Sequence, residues 1–544
     1  MSFLLASAGV QEPATPPAAG PSVWEPRHVE HLLNRAGFGA GSAELSAALA
    51  LGPARLVERL LTVESYIEEP FYARKRADGD LGRYVRSLPE EERELRMEEL
   101  RSEDRAQTAD FLAWWVGRML AGDEPLRERM VLFWHGHFTS SMEAVHSSYE
   151  MIQQNQLFRR HGLGSFRALL YGVARDPAML VYLDNASSKK THPNENFARE
   201  LLELYTLGEG NYGEDDVREV ARAFTGWGQR NGRFHFDPQR HDKGPKRVLG
   251  VEGKLDGDDV LEILLARPAC ARHLARALLE HFEGRAPEPE RLARYAAYLR
   301  ESDYQIDVFL RRLFLDPEFY SEEKLGARVA SPLDYLVGSA RRIGTAPDAR
   351  VLVAGAALLG QRLFFPPSVK GWEGGAAWAT GGSLLLRGEL VGLLLGRLRG
   401  RELVAGRRAR EDGGEDDKKM EREPERRRLP PELRALARLE LRPRVNLTAR
   451  LTRGGAMDEG VLDDVRGNDD VRGNDAALAR ALLAELLATP VPPELARKVE
   501  ERLSLSRAEF DLGAEPWSAH IELAEPLLRE LAHGILALPE AQLD

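Results

Sequence analysis

Residues 194–208, NENFARELLELYTLG, constrain the fold most, because they describe a helix with an apolar face and a carboxylate edge. At about 100° per residue the apolar side chains share one broad face, and Glu200 and Glu203 lie at its border. Asn194 is a suitable N-cap and Gly208 ends the helix. Two interpretations follow for the carboxylates. Either they pair with arginines where the helix meets its neighbours, or they form a functional face in a cleft.

Helical periodicity dominates the remainder of the chain. A charged stretch is predicted to form one long helix from about Pro89 to Leu120, solvated in its first half and buried in its second. Alternation of apolar and polar residues is confined to 229–250. There, residues 233–237 are predicted to be extended, and residues 247–250 are the suggested partner strand. The pattern therefore predicts an all-α, multi-helix body with one short β-hairpin near 229–250 and a helical C-terminal appendage.

Four parts are predicted along the 544 residues, since a chain of this length exceeds one core. Residues 1–24 are a leader remnant or disordered spacer, and residues 25–400 are the main helical domain. Residues 401–432 form a charged insertion that contains too little apolar surface to order itself. Residues 433–544 are a helical C-terminal region. Within it, Asp-Val-Arg-Gly-Asn-Asp occurs twice in tandem between Asp464 and Asp475, which favours an expanded loop.

Composition excludes several classes of protein. The chain is 43% hydrophobic and 30% charged, and no apolar run approaches the length of a membrane span. A net charge of −11 argues against a protein that mainly binds nucleic acid. Cys270, the single cysteine, excludes an internal disulfide and a cysteine-based zinc cluster, and its apolar helical surroundings predict a buried thiol.

The N-terminus resembles the end of a signal peptide, FLLASA, followed by a Pro/Ala-rich spacer. No basic segment precedes it, so either the true start lies upstream or the segment is a disordered tail. A longer leader predicts a periplasmic or extracellular protein, and its absence predicts a cytoplasmic one.

Seven ordered blocks identify a family resemblance. They are RAGFG at 35–39, FWHGHF at 133–138, YLDN at 182–185, NENFARELLELYTLG, YGEDDVREVARAFTGW, FHFDPQRHDKGPKRVLG, and PPSVKGWEGGAAW followed by Arg387. Together they resemble the bacterial family catalogued as domain of unknown function 1800, over about residues 27–400. The resemblance implies no activity. It implies export and a sulfatase-like partner protein encoded nearby.

Three histidines are candidate metal ligands. His135 and His137 lie in Trp-His-Gly-His, and neutral imidazoles are good ligands for zinc, copper or iron. On a helix, positions i and i+2 point apart, whereas in an extended segment they share a face. His235 on the predicted hairpin is the third candidate ligand for a divalent metal, whose identity the sequence leaves unknown. The alternative is histidines that are hydrogen-bonded in a polar core.

A candidate acid/base set consists of Glu200, Glu203, His241 and Asp242. A carboxylate bonded to an imidazole raises its basicity, although sequence neighbours seldom pair in this way. The alternative is a turn in which Asp242 caps and His241 is exposed. The sequence contains no H-E-x-x-H, C-x-x-C or G-x-S-x-G signature to support these chemistries.

A candidate ligand platform consists of Trp227, Trp372 and Trp378, with Arg387 beyond the loop. Aromatic residues in long irregular loops favour binding of a sugar ring, and the alternative is packing of the loop onto the body. Three functions therefore stay open. The first is a binding or assembly partner in the cell envelope, the second a metal-assisted or acid/base enzyme, and the third a carbohydrate-binding module.

Overall fold

The computed structural model describes residues 20–62, 84–85, 87–400, 402–403, 432, 436, 446–448, 451, 470–487, 491–512 and 515–543. Its longer helices are Pro26–Ala36, Ser42–Leu51, Pro53–Leu61, Glu90–Ala121, Pro125–His137, Ser148–His161, Phe166–Ala174, Glu214–Ala223, Gly257–Ala266, Pro268–Glu283, Pro289–Glu301, Ile306–Phe314, Pro332–Ile343, Ala349–Leu358, Gly381–Leu394, Asp470–Leu486, Pro493–Glu509 and Ile521–Leu536. Shorter helical turns are Met142–Val145, Pro177–Tyr182, Asn185–Ser187, Glu195–Glu200, Leu201–Thr206, Pro317–Tyr320, Gly375–Trp378, Trp517–His520 and Pro539–Gln542. The predicted all-α body is confirmed.

The long helix Glu90–Ala121 matches the predicted one closely. Its first half is mostly exposed, and its second half buries Phe111 and Trp115. Gly122 ends it in the left-handed conformation, with φ at 73°, which glycine adopts without steric cost.

Two small hairpins replace the single one that was predicted. Strand β1 (Trp227–Arg230) pairs with β2 (Arg233–Phe236), and β3 (Lys246–Val248) pairs with β4 (Val251–Gly253). The predicted pairing of 233–237 with 247–250 is wrong. Each of these segments pairs instead with its own neighbouring strand, to which a two-residue turn connects it. In the first turn, Asn231 and Gly232 both have positive φ, as a type I′ hairpin requires.

The segment that follows Asn194 changes helix type halfway along. Asn194 caps it as predicted, since its side-chain oxygen accepts the Asn196 N–H at 2.8 Å. Residues Glu195–Glu200 are α-helical and Leu201–Thr206 form a π-helical turn. Single π-helical turns are rare in proteins overall, and those that occur often lie at functional sites.

An aromatic core surrounds the FWHGHF block. Trp134, Phe138 and Phe166 are fully buried and their rings stack, with centroids 5.5 Å apart for Trp134–Phe138 and 6.1 Å for Phe138–Phe166. The tryptophan and the final phenylalanine of the block therefore join two helices, Pro125–His137 and Phe166–Ala174, and the two histidines lie between them in sequence.

The C-terminal helices pack on the preceding body. Leu543 forms an antiparallel bridge with Val329, and the Ala330 N–H donates to the Gln542 carbonyl at 2.8 Å. The second copy of the tandem repeat begins the helix Asp470–Leu486, so the predicted loop is wrong for that copy. Its last residue, Asp475, is buried and accepts hydrogen bonds from Arg507 and from the indole of Trp517.

Several predictions fall on residues that the structure does not describe, namely the leader at 1–19, most of the charged insertion and the first repeat copy. Residues 20–24 are described and contact the body, since the Gly20 N–H donates to Leu315 and Trp24 packs on Tyr320. Among the described helices, none combines the length and apolar character needed to cross a membrane.

Candidate functional site

His135 lies near the end of the helix Pro125–His137 in an aromatic enclosure. Its Nε2 accepts the Phe364 N–H at 3.2 Å, and the rings of Trp115 and Trp372 contact it edge-on at centroid distances of 5.9 and 5.4 Å. Burial lowers the pKa of His135 to about 3, so the imidazole is neutral at physiological pH.

His137 faces the end of the π-turn. Its Nε2 lies 3.4 Å from the Tyr205 carbonyl, and Nε2 of His273 lies 2.9 Å from the Leu204 carbonyl. Burial, with a smaller contribution from His273, lowers the pKa of His137 to about 3. The two imidazoles thus donate to consecutive carbonyls at a helix end, where backbone acceptors need partners. Sequence motifs do not predict this role of His273, because the residues around it form an ordinary amphipathic helix.

These hydrogen bonds bear directly on the metal hypothesis. Nε2 of His135 and Nε2 of His137 are both engaged with backbone groups, and His235 lies in β2 opposite Gly228. In the part of the chain that the structure describes, no three His, Cys, Asp or Glu side chains are arranged to hold a metal ion. The structure does not bring the three candidate ligands into one set.

The two glutamates differ in their surroundings. Glu203 accepts a hydrogen bond from the Tyr212 hydroxyl at 2.8 Å. Arg199 forms a bidentate ion pair with Glu214, at 2.7 and 2.8 Å, and no arginine among the described residues forms an ion pair with Glu200 or Glu203. Glu200 is half-buried and has no hydrogen bond or ion pair to another described side chain. Burial raises its pKa, and the charge of Glu203 raises it further, against the opposing charge of Lys370.

Electrostatic interactions link Glu200 with side chains of three other segments distant in sequence, either directly or through Tyr182. Tyr182 ends its own helix, and its pKa is raised by burial and then by the charges of Glu200 and Glu143. Lys370 is exposed on the loop after Pro366. We call Glu143, Tyr182, Glu200, Glu203 and Lys370 the Glu200 cluster.

The loop that carries Lys370 is held against the histidine helix. Gly371 has a φ of 78°, and a Cβ there would lie 2.6 Å from the Gly136 carbonyl oxygen, so only glycine permits this approach. The Met142 N–H also donates to the Phe364 carbonyl at 2.8 Å. These contacts fix the loop against the helix Pro125–His137 and the turn Met142–Val145.

His241 and Asp242 belong to a different part of the surface. His241 Nδ1 lies 2.9 Å from the Thr225 carbonyl, and the Asp242 N–H donates to the Thr225 hydroxyl at 2.8 Å. Asp242 is ion-paired with Arg222, whose Nε lies 2.8 Å from Oδ2 and which holds the pKa of Asp242 below its usual value. Asp242 therefore does not orient its sequence neighbour, and both residues anchor a loop to the end of the helix Glu214–Ala223.

The candidate platform residues occupy separate environments. Trp227 is buried against Phe224, with the Arg175 guanidinium 4.5 Å from its ring, and Trp372 packs on His135. Trp378 is half-buried on a short turn of the loop. The three indoles do not form one exposed surface.

Arg387 is fully buried, so its side chain is not accessible to a ligand in solvent. It donates to Gln542 Oε1 and to the Ala330 carbonyl, both at 2.8 Å, and lies 5.0 Å from the centroid of Tyr335. The observed contacts of Arg387 are therefore within the fold, and they join the main body to the C-terminal segment.

Comparison with known families then places the chain. A profile of the family described as Protein of unknown function (DUF1800) matches residues 31–543. The chain belongs to this family. The DUF1800 match extends past residue 400 through the C-terminal helices, so the resemblance over about 27–400 understated its extent. No curated protein and no solved structure matches the chain significantly. Three of the blocks that suggested DUF1800 contact one another: FWHGHF meets NENFARELLELYTLG through His137, and it meets PPSVKGWEGGAAW through Gly136.

Proposed function

We propose that this DUF1800 protein is a binding protein that acts as an assembly or export partner in the cell envelope, and that its partner contacts the Glu200 cluster. One observation carries the proposal: Glu200 is a half-buried carboxylate that forms no hydrogen bond or ion pair with another described side chain. Unpaired polar groups at such positions are favoured where a ligand completes them.

The chemistry of the cluster suits a ligand that donates hydrogen bonds. A carboxylate accepts only, so a peptide N–H, an ammonium or a hydroxyl would complete Glu200, and hydrogen bonds to a charged group contribute about 1.5–3 kcal/mol. Lys370 is exposed beside it and can bind an acidic group of the same partner. The cluster therefore fits a partner surface with neighbouring donor and acidic groups.

The partner that we propose is a sulfatase-like protein, which the family resemblance implies is encoded nearby. Binding of that protein to the purified full chain can be measured by titration calorimetry. Loss of one hydrogen bond to Glu200 predicts that Glu200→Gln raises Kd at least about tenfold. The matched control is Glu195→Gln, an exposed carboxylate at the start of the same helix, for which a change of less than about twofold is expected. No measurable binding, or equal losses in both variants, would refute the proposal.

A second function is favoured by the electrostatics of the same residue. A carboxyl group whose pKa is raised beside a tyrosine is suited to general acid/base catalysis. Under that function, Glu200→Gln would abolish turnover of a substrate while leaving its affinity nearly unchanged. The binding function predicts the opposite pattern, in which affinity itself falls.

A further inference from the structure

A second surface, separate from the Glu200 cluster, concentrates positive charge. We call it the basic surface; it comprises the exposed residues Lys189, Lys190, Arg230, Arg233, Arg240 and Lys243. The six residues come from the turn 186–192, the first hairpin and the loop 237–243. In a chain of net charge −11, such a local excess of cations needs a physical explanation.

Backbone contacts hold the three segments together. The Lys190 N–H donates to the Arg240 carbonyl at 2.7 Å, and the Gly226 N–H donates to the Ser188 carbonyl at 3.2 Å. Gly228 in β1 lies directly against Ala186, where a Cβ would be 3.4 Å from its carbonyl oxygen. The turn, the hairpin and the loop are therefore one continuous surface.

The hairpin places two arginines opposite each other. Arg230 pairs with Arg233 in the register of β1 and β2, and both side chains are exposed. Because side chains alternate along a strand, Arg230 lies on the same face as Gly228, which meets the turn 186–192. Like charges directly opposite on a hairpin are destabilising. A bound anion would offset this repulsion.

Few carboxylates neutralise these cations. The turn, the hairpin and the loop contain Asp237 and Asp242, and Glu150 Oε1 lies near the hairpin tip, 3.7 Å from a Cβ built on Gly232. Asp242 is already paired with Arg222, and Asp237 lies 4.0 Å from Arg240. Lys189, Lys190, Arg230, Arg233 and Lys243 have no ion-pair partner among the described residues.

We propose that the basic surface binds the anionic headgroups of a lipid bilayer. The cations lie on a turn, a hairpin and a loop, and all six side chains are exposed, so they are accessible to a bilayer surface. Phe236, with 40% of its surface exposed, begins the loop that carries Arg240 and Lys243, and its ring contacts His241. Aromatic side chains beside basic ones are typical of the membrane interface, where each cation contributes about 1 kcal/mol.

The test is sedimentation of the full chain with vesicles. Vesicles containing about one-third phosphatidylglycerol in phosphatidylcholine are compared with pure phosphatidylcholine, at about 0.05 M and 0.5 M NaCl. We expect binding to the anionic vesicles only, with a large loss at the higher salt. Lys190→Gln and Lys243→Gln should each weaken it about fivefold, the equivalent of about 1 kcal/mol.

The control is Lys498→Gln, which removes an exposed cation of the helix Pro493–Glu509 and should change binding less than about twofold. Absence of binding at low salt, equal loss in the control, or tighter binding to a single-stranded oligonucleotide at the same salt would overturn the bilayer assignment. Glu200→Gln should leave vesicle binding unchanged, so failure of the proposed partner function and failure of this inference are distinguishable.

Discussion

His135 and His137 resemble metal ligands in sequence, yet the structure gives each a backbone partner. His135 accepts the Phe364 N–H through Nε2, and His137 donates to the Tyr205 carbonyl through the same atom. The two residues therefore have opposite tautomer requirements at Nε2. Sequence spacing cannot show this, because it depends on which backbone groups other segments bring to each ring.

Neutral buried histidines predict a specific loss of stability in acid. Their pKa values of about 3 lie below the unfolded value of about 6.5. Their contribution to the free energy of unfolding is therefore present above pH 6.5 and is lost as the pH falls towards 3. At pH 5 the expected loss is about 2 kcal/mol per histidine relative to pH 7.5. Chemical denaturation at several pH values measures it.

Glutamine is the matched replacement, since its amide can supply an oxygen at position 135 or an N–H at position 137. The double variant His135→Gln/His137→Gln should lose about 4 kcal/mol less than the wild type between pH 7.5 and pH 5. Parallel pH profiles for the two proteins would contradict this account, whatever their absolute stabilities.

The π-turn is the element that sequence periodicity could not reveal. Apolar residues at Leu201, Leu202 and Tyr205 fit an α-helical face equally well, so the predicted span was right and the helix type in its second half was wrong. Within the turn Thr206 Oγ1 donates to the Leu201 carbonyl at 2.6 Å, and His273, from a helix distant in sequence, contacts the Leu204 carbonyl near its end.

Two glycines after the π-turn allow its packing to be measured. Gly208 and Gly210 have φ of 79° and 81°, but a Cβ on Gly208 would lie 2.8 Å from His273 Nδ1, whereas one on Gly210 meets nothing within 4 Å. Gly210→Ala should cost about 1 kcal/mol from backbone strain alone. Gly208→Ala should cost at least about 1 kcal/mol more, because His273 must move. Equal unfolding free energies for the two variants would contradict the role of His273.

At the scale of the whole molecule, Arg387 joins the C-terminal segment to the main body. Removing its side chain leaves the Ala330 carbonyl and the Gln542 amide oxygen buried without their donor. Arg387→Met should therefore lower the unfolding free energy by about 2–4 kcal/mol. Arg350→Met, which removes an exposed ion pair with Asp110, should lower it by less than about 1 kcal/mol. Similar losses in denaturant titrations would show that Arg387 has no special role.

Local sequence patterns predict the helices of this molecule better than the contacts between those helices. Helical periodicity predicted Glu90–Ala121 and the C-terminal helices, because those signals are local. The four-part division of the chain stays a prediction. The convergence on Glu200 depends on Lys370 and Tyr182, and the burial of Arg387 depends on Gln542, all of which are distant in sequence. Pairings of this kind are set by tertiary packing, which no local pattern encodes.

Burial of Cys270 has a practical consequence for spectroscopy. The chain has one cysteine, it is fully enclosed, and burial raises the pKa of its thiol to about 12. Maleimide dyes react with thiolates at the surface, so the native thiol should stay unlabelled. A single cysteine introduced in place of Lys370 would then carry one fluorophore beside Glu200, and its emission would report directly on partner docking.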